Sequence, residues 1–185
     1  MKIFIAGSIS IKHLDVKVKE RIDNIIEQKY TVIVGDADGA DSSIQSYLHQ
    51  KGASDAVVYC SGDQARNNIG HWRVEHVQVK SAAPGSRAFF TAKDLAMAKE
   101  ADYGLMIWDA KSTGTLSNVI ELLRRKKKSV VFVNKAKRFQ TVGDVAQLEG
   151  LLGFMSETAL QKADLKIHLH EKISELRHEQ ADMFA

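Results

Sequence analysis

With 185 residues, 44% hydrophobic and 26% charged, the chain has the make-up of one globular domain plus an appendage and is long enough to bury a real core. A formal charge of +3 is too small to demand a nucleic-acid partner, and Cys60, the only cysteine, excludes an internal disulfide and a multi-cysteine metal site. The opening run, Met1 to Ser8, turns polar too early for a secretory signal, and no apolar run approaches the roughly 18 residues of a membrane span, so a cytoplasmic protein with no membrane partner is expected.

The first predicted strand, residues 2–6, ends in Gly7 and Ser8, a turn that offers backbone N–H groups and a hydroxyl. It does not complete the dinucleotide pattern G-x-G-x-x-G, because Ile9 and Lys12 stand at the later glycine positions. A helical stripe of Leu14, Val18, Ile22, Ile25 and Ile26 follows, then a second strand over 30–34. That strand runs into "GDADGADSS", residues 35–43, and a helix that begins with Ile44 and Leu48. Asp36, Asp38 and Asp41 would repel a phosphate placed directly there. Asp38 is expected to cap the helix, with Asp41 in its first turn and Gly35 and Gly39 turning the backbone. Asp36 is left over, a strand-end carboxylate suited to sugar hydroxyls or amino groups. An EF-hand is excluded, since glycine falls fourth from Asp36 and Tyr47 stands where a glutamate is needed.

A third strand is predicted over 56–60, with Cys60 as a buried structural thiol. Residues 62–84 hold either an extra strand or a long surface loop, closed by Pro84 and Gly85. The capping-box pattern Thr91 to Asp94 lies in a helix expected over about 86–101, and Arg87 near its start is a candidate anion ligand through its planar fork. His71 and His76, like His168 and His170, lack metal-ligand spacing, and no cofactor or metal is expected. A fourth strand, 103–108, leads to Asp109 and the run Lys111 to Asn118. There Gly114 permits close approach, Thr115 supplies a hydroxyl, and the helix of Leu116, Val119, Ile120 and Leu123 offers free N–H groups to a phosphate. No P-loop occurs.

The cationic run 124–128 closes that helix, where positive charge favours the dipole, and a fifth strand covers 129–133. Strands and helices alternate, which predicts a Rossmann-like, doubly wound α/β fold with a mainly parallel sheet of five or more strands over residues 1–150. Residues 151–185 are expected to form a C-terminal helical extension, with a capping box at Thr158 and a stripe of Leu165, Leu169, Ile173 and Leu176.

The motifs "FIAGS", "GDADGADSSIQ", "GSRAFFTAKDLAMAKEADYGLMIWD" and "STGTLSNVIELL" resemble the Rossmann-like SLOG superfamily over residues 2–134. Its relatives include Lonely Guy phosphoribohydrolases, DNA-processing DprA proteins and nucleoside 2-deoxyribosyltransferases. The resemblance implies a nucleotide or nucleoside-derived phosphorylated ligand at the carboxyl edge of the sheet, in a sensor or an enzyme. Gly114 and Thr115 match the glycine and threonine of the superfamily's phosphate loop, but Asn118 stands where Lonely Guy enzymes carry a catalytic glutamate. An amide cannot act as a carboxylate base or nucleophile. The ligand set expected is Gly7, Ser8, Gly35, Asp36, Gly39, Arg87, Asp109, Gly114, Thr115 and Asn118. If an N-glycosidic bond is cut or transferred, Asp36 and Asp109 are the candidate catalytic carboxylates, with Glu75 and Glu121 as substitutes. A second copy of the chain and single-stranded nucleic acid, the latter through residues 124–128, are lesser candidate partners.

Overall fold

The computed structural model describes residues 1–182. The chain runs β1 (Lys2–Gly7), α1 (Val16–Glu27), β2 (Thr31–Gly35), α2 (Ala40–Gln50), β3 (Ala56–Ser61), β4 (Arg73–Val77), α3 (Arg87–Glu100), β5 (Tyr103–Trp108), α4 (Thr113–Arg124), β6 (Ser129–Val133), β7 (Arg138–Val142), α5 (Val145–Leu152), α6 (Glu157–Ile167) and α7 (Leu169–Asp182). The strands form one seven-stranded sheet in the order β4-β3-β2-β1-β5-β6-β7. Every neighbouring pair is parallel except β6 with β7. This is a Rossmann-like, doubly wound α/β fold.

The central strands are apolar on both faces because both faces are covered. Ile3 and Ile5 of β1, Val32 and Val34 of β2, and Leu105 and Ile107 of β5 pack towards α1 and α2. The alternate residues Phe4, Ile33, Met106 and Trp108 enter the opposite core, which the C-terminal residues Leu148, Leu151, Ala163, Ile167 and Ile173 also join. Strand order reverses between β1 and β5, and both strands end at the same edge, so the switch point of the sheet lies between Ser8 and Asp109.

Two strands go beyond the five apolar runs: β4 decides residues 62–84 in favour of the extra strand, and β7 is one that the sequence reading missed. β4 and β7 are the sheet's edges, and their sequences, RVEHV and RFQTV, are half polar because one side of an edge strand faces water. The caps also differ from those read in the sequence. Ser86 caps α3 by accepting from the Phe89 amide, while Thr91 lies inside the helix and donates to the Arg87 carbonyl. Ser156, not Thr158, caps α6. His168 adopts φ 53° and breaks the expected C-terminal stripe into α6 and α7, which leaves Leu165 83% exposed.

Asp38 does not cap α2. The cap position is Gly39, at φ 79° and ψ −121°, with no side-chain bond, and Asp38 accepts from Asn67 instead. A Cβ on Gly39 would lie 2.1 Å from the Ile9 carbonyl oxygen, so the β1–α1 loop passes where a capping side chain would need to start. We expect Gly39→Ala to cost roughly 2–3 kcal/mol in urea unfolding, from strained backbone plus a backbone clash. A loss under ~1 kcal/mol would mean that the Ile9 loop yields freely.

Candidate functional site

Three structures make up the site, the first two at the carboxyl edge and the third running along α4 from it. The first is a hydroxyl and carboxylate lattice at the switch point. Ser8, buried at the end of β1, accepts from the Asp109 amide at 3.1 Å and lies 3.3 Å from the Thr115 hydroxyl. Asp109 accepts from the Lys111 and Ser112 amides at 2.9 and 2.7 Å and from the Ser10 hydroxyl at 2.7 Å. Burial pushes its pKa up, but those hydrogen bonds outweigh burial and hold it below the ordinary value. The lattice therefore clamps the β1 and β5 turns together and fixes the start of α4.

At that start, Ser112 caps the helix, and the amides of Thr113 and Gly114 have no acceptor among the described residues. Gly114 is exposed, and only the Ser112 hydroxyl, at 3.9 Å, lies near the place a Cβ would take. Arg87, the first residue of α3, reaches over to the Thr113 hydroxyl at 3.5 Å. An exposed helix start with free amides, flanking hydroxyls and a guanidinium is an arrangement that accepts an anion.

The second structure is an ion cluster around Asp36. Its carboxylate is buried and takes a two-pronged bond from Arg66, Nη2 at 2.7 Å and Nε at 3.0 Å, plus the Arg66 amide at 3.0 Å. The Arg66 guanidinium stacks over Phe90, 4.3 Å from the ring centre. Burial raises the Asp36 pKa, but Arg66, helped by Lys93, more than reverses that and leaves it lowered. Lys93 of α3 is 4% exposed, with its ammonium 2.8 Å from Asp94, 3.9 Å from Asp41 and 4.0 Å from Asp36. Burial pushes the Lys93 pKa down, yet three carboxylates overcome it and the net direction is up. Asp41 has one cation at a distance and two like charges, so burial dominates and raises its pKa to about 6. Gly35 serves this cluster, since a Cβ there would lie 2.3 Å from the Asp41 carboxylate and 2.7 Å from the Lys93 ammonium.

The third structure is a hollow of about 280 Å³ between α3, α4 and the α6–α7 corner, beside the α4 start, with Arg87, Gly114 and Asn118 among its walls.

The ten expected ligand residues thus divide. Ser8, Asp109 and Thr115 form the lattice; Arg87, Gly114 and Asn118 face the hollow; Gly35 and Asp36 belong to the ion cluster; Gly39 packs on Ile9; Gly7 lies against Ile107 and Ala40. Arg66 and Lys93 were missed. Lys93 left a trace, because it falls three residues after Phe90 and four before Met97, on the stripe that α3 buries. Arg66 left none, being fixed by a loop contact 30 residues from Asp36.

Of the remaining candidates, Glu121 is paired with Arg125 at 2.7 Å and Glu75 with Arg73 at 2.8 Å. The basic run is largely used within the fold: Arg124 meets Glu175 at 3.5 Å, and Lys127 donates to the Ala98 and Lys99 carbonyls at the end of α3. Cys60 is buried, and burial raises its pKa. Among the described residues no helix is long and apolar enough to cross a membrane. No family model, curated protein or solved structure matches the chain.

Proposed function

We propose that the chain binds a nucleotide or nucleoside-derived phosphorylated ligand at the carboxyl edge of the sheet and acts as a sensor of it. The phosphate sits on the first turn of α4, where the Thr113 and Gly114 amides are free and Arg87 stands 3.5 Å from the Thr113 hydroxyl. That one observation carries the reading. Binding is favoured over N-glycosidic cleavage by the state of the two candidate carboxylates. Asp36 already accepts three hydrogen bonds from Arg66, and Asp109 accepts three from Ser10, Lys111 and Ser112. Both pKa values are lowered, which makes each a poor proton acceptor for a reacting group.

The test is calorimetry with the four nucleoside 5′-monophosphates against the parent nucleosides, on the native chain and on Gly114→Asp. A carboxylate on the first turn of a helix favours the helix by about 0.3–1 kcal/mol while repelling a phosphate from the same amides. We therefore expect a variant that unfolds no more easily than the native chain and has lost monophosphate binding. Arg87→Ala should weaken it about tenfold, the loss of one charge-assisted hydrogen bond. Monophosphate affinity unchanged in Gly114→Asp would remove the proposed phosphate site.

A further inference from the structure

We infer that the hollow between α3, α4 and the α6–α7 corner is a second anion subsite, so that the ligand carries two separately placed phosphates on one nucleoside. The inference rests on the binding reading above and adds what it leaves open, namely the ligand's second charge and the use of the C-terminal helices.

The hollow opens beside Gly114 and follows the α4 face made by Gly114, Ser117, Asn118 and Glu121, residues spaced to share one side of a helix. Asn118 is 8% exposed and lines this space, yet neither its amide nitrogen nor its oxygen has a hydrogen-bond partner among the described residues. Its amide nitrogen and oxygen keep contact with water through the hollow, so they offer an unpaired donor and acceptor to a polar group that enters it. Asn118 lies four residues from Gly114, a rise of about 6 Å along the helix. That separation suits two phosphates on opposite sides of one ribose.

The charges on the walls say which polar group it is. Asp94 and Glu121 are the acidic members, and each is already matched from outside the hollow, by Lys93 at 2.8 Å and by Arg125 at 2.7 Å. Arg124 is offset by Glu175. Arg87 belongs to the first phosphate, whereas Lys166 and Lys172 also line the hollow and have no acidic partner among the described residues. Lys166 lies in the last turn of α6 and Lys172 in the first turn of α7, whose start adds its own positive dipole end. Two uncompensated cations and a free amide around a space of about 280 Å³ favour an anion with hydrogen-bonding oxygens, and a phosphate meets both demands.

Calorimetry at one salt concentration, comparing the 3′,5′-bisphosphate of each of the four nucleosides with its 5′-monophosphate, tests this on the full chain. For the base that binds, the bisphosphate should be about tenfold tighter, the fold-change from one added charge-assisted contact. The Lys166→Glu/Lys172→Glu variant should lose that advantage and keep its monophosphate affinity. Because the two lysines are exposed and half-buried respectively, the milder Lys166→Gln/Lys172→Gln variant gives the same comparison should charge reversal disturb the corner. Equal affinities for the two ligands, or an advantage that survives in both variants, would overturn the second subsite and leave the first standing. If no nucleotide of either kind binds, both readings fall together.

Discussion

Lys93→Met is expected to destabilise the fold by about 3–5 kcal/mol at pH 7, the usual cost of removing one partner from a buried ionic group. Methionine keeps most of the volume of the lysine stem, so the loss measures charge and not packing. The ammonium stands 2.8 Å from Asp94, 3.9 Å from Asp41 and 4.0 Å from Asp36. Without it Asp36 retains Arg66, whereas Asp41 and Asp94 lose their only cation among the described residues. Asp41 responds most because it is the more buried of the two. The remedy for an unpaired buried carboxylate is a proton, so the loss should shrink at pH 5, and Lys93→Met/Asp41→Asn should recover part of it at pH 7. Urea unfolding followed by circular dichroism at the two pH values measures all three quantities. A loss under ~1 kcal/mol at both pH values would show that the cluster is screened by solvent.

The second large effect is one of pH. Asp41 has its pKa raised from an ordinary 3.8 to about 6 in the fold, so between those values the folded chain holds a proton that the unfolded chain has released. Stability from this group is therefore full below about pH 4 and is lost as pH rises through 6, a decline on the order of 3 kcal/mol. Asp36 and Asp109 act in the opposite sense, since their lowered values give stability that is present above the ordinary carboxylate range and lost in acid. Those two contributions are common to the native chain and to Asp41→Asn, and cancel when the two are compared. The asparagine variant should gain on the native chain by about 3 kcal/mol between pH 4 and pH 7. A difference that stays flat across that range would mean that Asp41 is not buried as a carboxylate.

Why would a chain keep a charge where its burial is unfavourable? Gly35 offers an answer, since any side chain there would displace Asp41 and Lys93. The cluster joins the end of β2, the start of α2 and the middle of α3 through ionic contacts that need one geometry. It thereby sets α3, and with it Arg87 at the head of that helix.

The central strands and the four helices packed among them were legible because periodicity is a local signal. Ile3 and Ile5 alternate with Phe4 and Ala6, and both sets are apolar because the strand is covered twice. The edge strands were harder to read for the same reason reversed: β4 was one of two readings of residues 62–84 and β7 was missed, since half of RVEHV and RFQTV faces water and their pairing is decided by β3 and β6. The caps were misread where a tertiary contact overrode local chemistry, as at Gly39 against Ile9.

By itself the sequence determined the alternation of strands and helices, the turns gathered at one edge, and the glycine and hydroxyls at the start of α4, because each depends on neighbours within a few residues. Only the tertiary structure decided the partners of the charged groups. Asp36 belongs to Arg66 and Lys93, and Asn118 faces a hollow whose far wall is a lysine pair from the C-terminal corner. A charge interacts through space and not along the chain, so no spacing in the sequence could have paired residues 30, 57 or 54 positions apart.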